Sequence, residues 1–134
     1  IFFFFFKRYT QLASKLSQEK YSIIATSNVT GTRDEVFEII LNFSGLMDEN
    51  VEIIDNSLVM FLKVLIRTGC REVTLAGFDG YSTEASNYYK QDMEYDFVKN
   101  KAEYLNNYTS TFIKSVADTL MVEFLTTSKY ERER

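Results

Sequence analysis

Histidine, proline and tryptophan are absent from this 134-residue chain, and cysteine occurs once, as Cys70. Without histidine the chain holds no His-based triad, no imidazole general base and no His-bearing metal site of its own. A single thiol supplies no substitute ligand set for zinc, so no catalytic or metal residue is assigned. It also excludes an internal disulfide and fits a reducing, cytoplasmic setting. Cys70 falls between a helix and a strand, where a buried structural thiol is expected. A basic surplus is missing too. The formal net charge of −4 argues against a general nucleic-acid binder, because nothing offsets phosphate repulsion. Long apolar runs are lacking: Ile1 to Phe6 is too short to span a bilayer, and no cationic stretch precedes it as in a signal peptide. The chain opens on Ile1 rather than methionine, so a segment of a longer protein is expected.

What remains is a chain rich in apolar residues (46%) and in aromatics (16%), the latter all Phe and Tyr. That composition suits one α/β domain with a real core. Ile1 to Phe6 is a continuous apolar run, as in strands covered on both faces. Helical spacing follows up to about Gln18. Tyr21 to Thr26 reads as a second strand and Val36 to Leu41 as a third, favoured over a short helix by its β-branched residues and its Asn/Ser/Gly exit. Leu46 to Glu52 is a polar loop.

The clearest helix starts after the capping residues Asp55, Asn56 and Ser57 and carries Leu58, Phe61, Leu62, Leu65 and Ile66 on one stripe. Gly69 is placed to end it in a left-handed cap. Glu72 to Gly77 reads as a fourth, buried strand. Ser82 to Tyr95 is a polar insertion rich in tyrosine. Asp96 to Asp118 reads as one long helix with Val98, Ala102, Leu105, Tyr108, Phe112 and Val116 on one face. Thr119 to Leu125 is a last strand before a charged tail. Alternating strands and helices imply right-handed crossovers. The expected fold is therefore a three-layer, Rossmann-like α/β domain with a mostly parallel sheet of about five strands.

In such a sheet the carboxyl ends of the strands share one rim with helix N-termini. The polar residues after each apolar run are then the ligand-binding candidates: Lys7, Arg8, Ser27, Asn28, Asn42, Ser44, Asn56, Ser57, Asp79, Gly80, Tyr81, Thr127 and Ser128. Backbone N–H groups, hydroxyls and positive helix ends suit a phosphate or carboxylate. Asp79, an acid beside Gly80 after a buried strand, suits a ribose hydroxyl or a metal. Turns and caps place the same residue types at strand exits in any α/β protein, so Asn56 and Ser57 fit simple capping equally, and Asp79 fits stabilisation of its own turn. Neither G-x-G-x-x-G nor G-x-x-x-x-G-K-[ST] is present, so no cofactor is named. The acid pairs Asp34/Glu35 and Asp48/Glu49 read as surface charge.

The run Asn56-Ser57, then Arg71-Glu72-Val73-Thr74-Leu75-Ala76-Gly77-Phe78-Asp79, resembles the helix-strand-loop of the Rossmann-like bacterial sialyltransferase family. Together with Lys7-Arg8-Tyr9, Thr26-Ser27-Asn28 and Ala76-Gly77-Phe78-Asp79-Gly80-Tyr81-Ser82, it more closely resembles the extra C-terminal domain of bacterial proteins with an aldolase barrel similar to 4-hydroxy-2-oxovalerate aldolase. This resemblance implies an accessory domain that binds a small anionic or nucleotide-linked ligand without catalysis of its own. Its partner would be the aldolase-like barrel of its parent chain. The sialyltransferase resemblance implies instead a partial nucleotide-sugar transferase, against which stand the absent histidine base and the absent glycine-rich first loop. A structural domain that forms a homodimer through exposed sheet edges is the third expectation.

Overall fold

The computed structural model describes residues 2–3, 10, 22–29, 37–84, 87 and 96–131. The chain groups into two compact units, 1–49 and 50–134.

In the first unit, strands β1 (Phe2–Phe3), β2 (Ile24–Thr26) and β3 (Ile39–Leu41) form a parallel sheet in the order β1-β2-β3. Phe2 lies opposite Ile24, and Ile24 opposite Ile39. Flanking hydrogen bonds lengthen the β2–β3 pairing at both ends, from Glu38 N–H to the Ile23 carbonyl (2.9 Å) and from Ser27 N–H to the Leu41 carbonyl (2.8 Å). In and around the central strand lies the small core of Ile23, Ala25 and Val29, with Phe37 packed against it. Edge strand β3 is wetter, with Ile39 and Ile40 50% and 54% exposed.

In the second unit, helix α1 (Ser57–Arg67) starts and stops where its sequence demands. Asn56 takes an extended conformation, and its Oδ1 accepts the Val59 N–H (3.1 Å), meeting one of the donors a helix start leaves unsatisfied. At the other end Gly69 adopts φ +79°. Its N–H donates to the Ile66 carbonyl and that of Cys70 to the Leu65 carbonyl, both at 3.0 Å. These are the two bonds of a Schellman cap, a conformation that only glycine enters without steric cost.

Strands β4 (Glu72–Leu75) and β5 (Met121–Phe124) pair in parallel, Glu72 opposite Met121 and Leu75 opposite Phe124. Bonds from Met121 N–H to the Arg71 carbonyl and from Leu125 N–H to the Leu75 carbonyl, both 2.8 Å, extend the ladder. Val73, Leu75, Val122 and Phe124 turn inward onto Leu58, Leu62, Leu120 and Tyr130. Glu72, Thr74, Met121 and Glu123 are exposed. Between the strands run α2 (Asp96–Asn100) and α3 (Ala102–Ser115). The single helix expected over residues 96–118 is interrupted at Lys101, which leaves helical geometry (φ −114°, ψ 9°), and its last residues form turns. No glycine or proline marks that break. Lys101 Nζ is instead held by Glu52 Oε1 at 2.5 Å.

A five-stranded, three-layer Rossmann-like sheet is not what these strands build. Among the described residues there are two separate sheets, of three and of two strands. The physical reason is legible in Glu72-Val73-Thr74-Leu75, where polar and apolar residues alternate, and β5 follows the same pleat, with Met121 and Glu123 exposed while Val122 and Phe124 turn inward. A strand buried on both faces is apolar at every position, whereas an alternating one keeps one face in water. Glu72 to Gly77 was expected to be buried; only Leu75 of its four strand residues is.

Candidate functional site

The carboxyl ends of β4 and β5 bring together the residues singled out at these two exits, Asp79, Gly80, Tyr81, Thr127 and Ser128. Side chains lace the two loops to each other's backbone. Gly77 N–H donates to Thr126 Oγ1 (3.0 Å), and Thr126 Oγ1 donates to Asp79 Oδ1 (3.2 Å). Lys129 N–H donates to the Asp79 carbonyl (3.0 Å). Ser128 Oγ, almost wholly buried, donates to the Phe78 carbonyl (2.6 Å) and accepts the Tyr130 N–H (3.2 Å). Lys129 Nζ donates to the Tyr81 carbonyl at 2.7 Å. The Asp79 carboxylate thus ties its loop to the β5 exit through Thr126, and Thr127 is exposed.

Two asparagine amides complete the lacing in one manner. Asn106 Oδ1 accepts the Tyr81 N–H (2.8 Å) while its Nδ2 donates to the Tyr81 carbonyl (2.9 Å). Asn87 does the same for Ser82, at 2.6 and 3.0 Å. Each amide stands in for a neighbouring strand, satisfying the donor and acceptor of one residue. Gly80 is locked between these groups. It has φ +90°, and a Cβ there would lie 2.9 Å from Lys129 Cβ and 3.2 Å from Asn106 Oδ1.

Asn56 is also committed to structure. Besides capping α1, its Nδ2 donates to Thr109 Oγ1 (3.2 Å), a fully buried hydroxyl on α3. Ser57 is the first residue of α1. The Cys70 thiol donates to the Glu72 carbonyl at 3.1 Å, a structural role.

The remaining candidates belong to the first unit. Thr26 and Leu41 end β2 and β3 level with each other, so Ser27, Asn28, Asn42 and Ser44 share that sheet's carboxyl edge. Ser27 Oγ accepts the Phe43 N–H (3.1 Å), and Thr26 Oγ1 donates to Asn28 Oδ1 (2.5 Å). Asn42 and Ser44 are exposed. Lys7 and Arg8 lie outside the described residues.

An opening in the second unit lies beside β5 rather than beyond its end. A cleft of about 760 Å³ runs along this strand, floored by Ile113, Ala117, Leu120 and Tyr130. Met121 to Phe124 form its wall, and Glu123 and Glu131 are its charged lining residues. A shallower 320 Å³ depression lies between Glu52–Asp55 and Phe97.

Sequence reasoning missed this flank, along with Asn106, Asn87, Thr126 and Lys129. Glu123, a single charge between the apolar residues Val122 and Phe124, was the available signal for the flank. Nothing local marks Asn106, whose partner is 25 residues away. Among the described residues, no group of three or more potential metal ligands occurs, and no helix is long and apolar enough to cross a membrane. Compared with protein-family models, curated proteins and solved structures, the chain matches none.

Proposed function

We propose that residues 50–134 form a non-catalytic interaction module whose working surface is the flank of β5. The cleft beside that strand supports this reading, because it joins an apolar floor to a strand edge that is unpaired among the described residues. Met121 N–H and Leu125 N–H both donate to the β4 side. In a parallel ladder alternate residues point their polar backbone groups to opposite sides, so those of Val122 and Phe124 face the cleft. Among the described residues β5 pairs only with β4. An edge of this kind accepts an added strand, with backbone bonds giving affinity and the floor selecting side chains. Hydrogen exchange with and without candidate partner proteins tests it. Slowed exchange at Val122 and Phe124, with Tyr81 and Ser82 unchanged, is the expected result.

The second reading is the accessory domain of an aldolase-like protein, binding a small anionic or nucleotide-linked ligand at the strand exits. Exposed Asp79 and Thr127 on adjoining loops favour it. A thermal-shift screen with CMP, UDP, their sugar conjugates and 2-oxo acids, with and without magnesium, separates the two. A ligand at 100 times its dissociation constant adds about 2.7 kcal/mol, which the second reading requires and the first does not.

A further inference from the structure

The β5 flank carries information about the chemistry of its partner. Val122 and Phe124 turn their side chains toward the core, while Glu123 between them turns to the solvent face. A strand added beside β5 continues this pleat, so its residues alternate between the two faces. Those on the inner side cover Ile113, Ala117 and Tyr130 and must be apolar. Those on the outer side run next to Glu123, and Glu131 adds a second negative charge to the lining.

Glu123 also discriminates against one obvious occupant. If two copies paired antiparallel about the middle of β5, Val122 would lie opposite Phe124 and Glu123 opposite Glu123. Two carboxylates would then face each other across a pair of strands, which is destabilising. The edge carries no lysine or proline of its own to keep strands away in general. Like charge is therefore turned against self-pairing, and opposite charge is welcomed.

Resting on the interaction-module reading above, we infer that β5 receives an extended segment of another protein with the pattern apolar–Lys/Arg–apolar, its cation beside Glu123. The probe is the capped peptide Ser-Val-Lys-Val-Lys-Val-Ser, compared with Ser-Val-Glu-Val-Glu-Val-Ser, titrated into the labelled chain and followed by amide resonances and exchange. The lysine peptide is expected to shift and protect Val122 and Phe124 and to bind about tenfold more tightly than the glutamate peptide. Glu123→Lys, at an exposed position, is expected to reverse the preference. Protection of both amides by both peptides with equal affinity overturns the cationic partner and leaves the module reading intact. Protection by neither peptide overturns both. Protection that appears without peptide and vanishes on dilution assigns the edge to a second copy and likewise overturns the inference.

Discussion

The carboxyl end of β5 and its flank are a few residues apart and opposite in character. At the end, Thr126, Ser128 and Lys129 turn their polar groups onto neighbouring backbone. Along the flank, Met121 to Phe124 line a cleft together with Ile113, Ala117, Leu120 and Tyr130. The rim where an α/β protein is expected to hold its ligand is here a knot of internal hydrogen bonds. The strand edge, which proteins usually cover or blunt, lies beside an open cleft. Polarity alone therefore does not locate a site. What matters is whether the polar groups already have partners.

That contrast can be broken from the laced end first. Gly80→Ala combines a left-handed backbone with a Cβ forced against Lys129, and a loss of about 3 kcal/mol in urea unfolding is expected. Gly69→Ala serves as its control, because a Cβ there meets nothing within 4 Å; strain alone sets its cost, about 1 kcal/mol. If the two alanines cost the same, the crowding around Gly80 is not real.

Asn106→Ala removes both bonds of the Tyr81 clamp, and about 1–2 kcal/mol should be lost. Exchange at Tyr81 should quicken while Leu58 and Leu62 in α1 stay protected. Asp79→Ala removes only the acceptor of one exposed hydroxyl, so about 0.5–1 kcal/mol is expected. A nucleotide-dependent thermal shift in the parent chain that disappears in this variant would restore the strand exits as a binding site. Smallest of all, Glu123→Lys should leave the melting temperature nearly unchanged, as most surface substitutions do. A large loss there would mean that Glu123 supports the fold and is not available to a partner.

Much of the local structure was legible in the chain. Asn56 and Gly69 bracket α1 because the chemistry of helix ends depends on a few residues near in sequence. Strands β2, β3, β4 and β5 fall inside the runs that predicted them, although each is shorter. The assembly of strands into a sheet was the point of failure. Apolar content suggested burial on both faces, while the period-two pattern of β4 says that one face is wet. The break at Lys101 leaves no trace of glycine or proline. Ser27, Asn28, Asn42 and Ser44, expected on the same rim, belong to the other sheet, whereas the candidate residues at the β4 and β5 exits lie near one another. Their partners were not legible, because Asn106 and Thr126 reach across 25 and 47 residues.

The pairing of β4 with β5 has a consequence in time. Gly77 and Thr126, which close the exit loops on one another, are 49 residues apart, and Asn56 reaches Thr109 across 53. Loop-closure entropy must be met before such contacts stabilise anything, which slows folding relative to helical neighbours. During synthesis β4 emerges long before β5, so it waits without the strand it pairs with. The caps on α1, built entirely from local bonds, are what that early segment has to hold its shape while it waits.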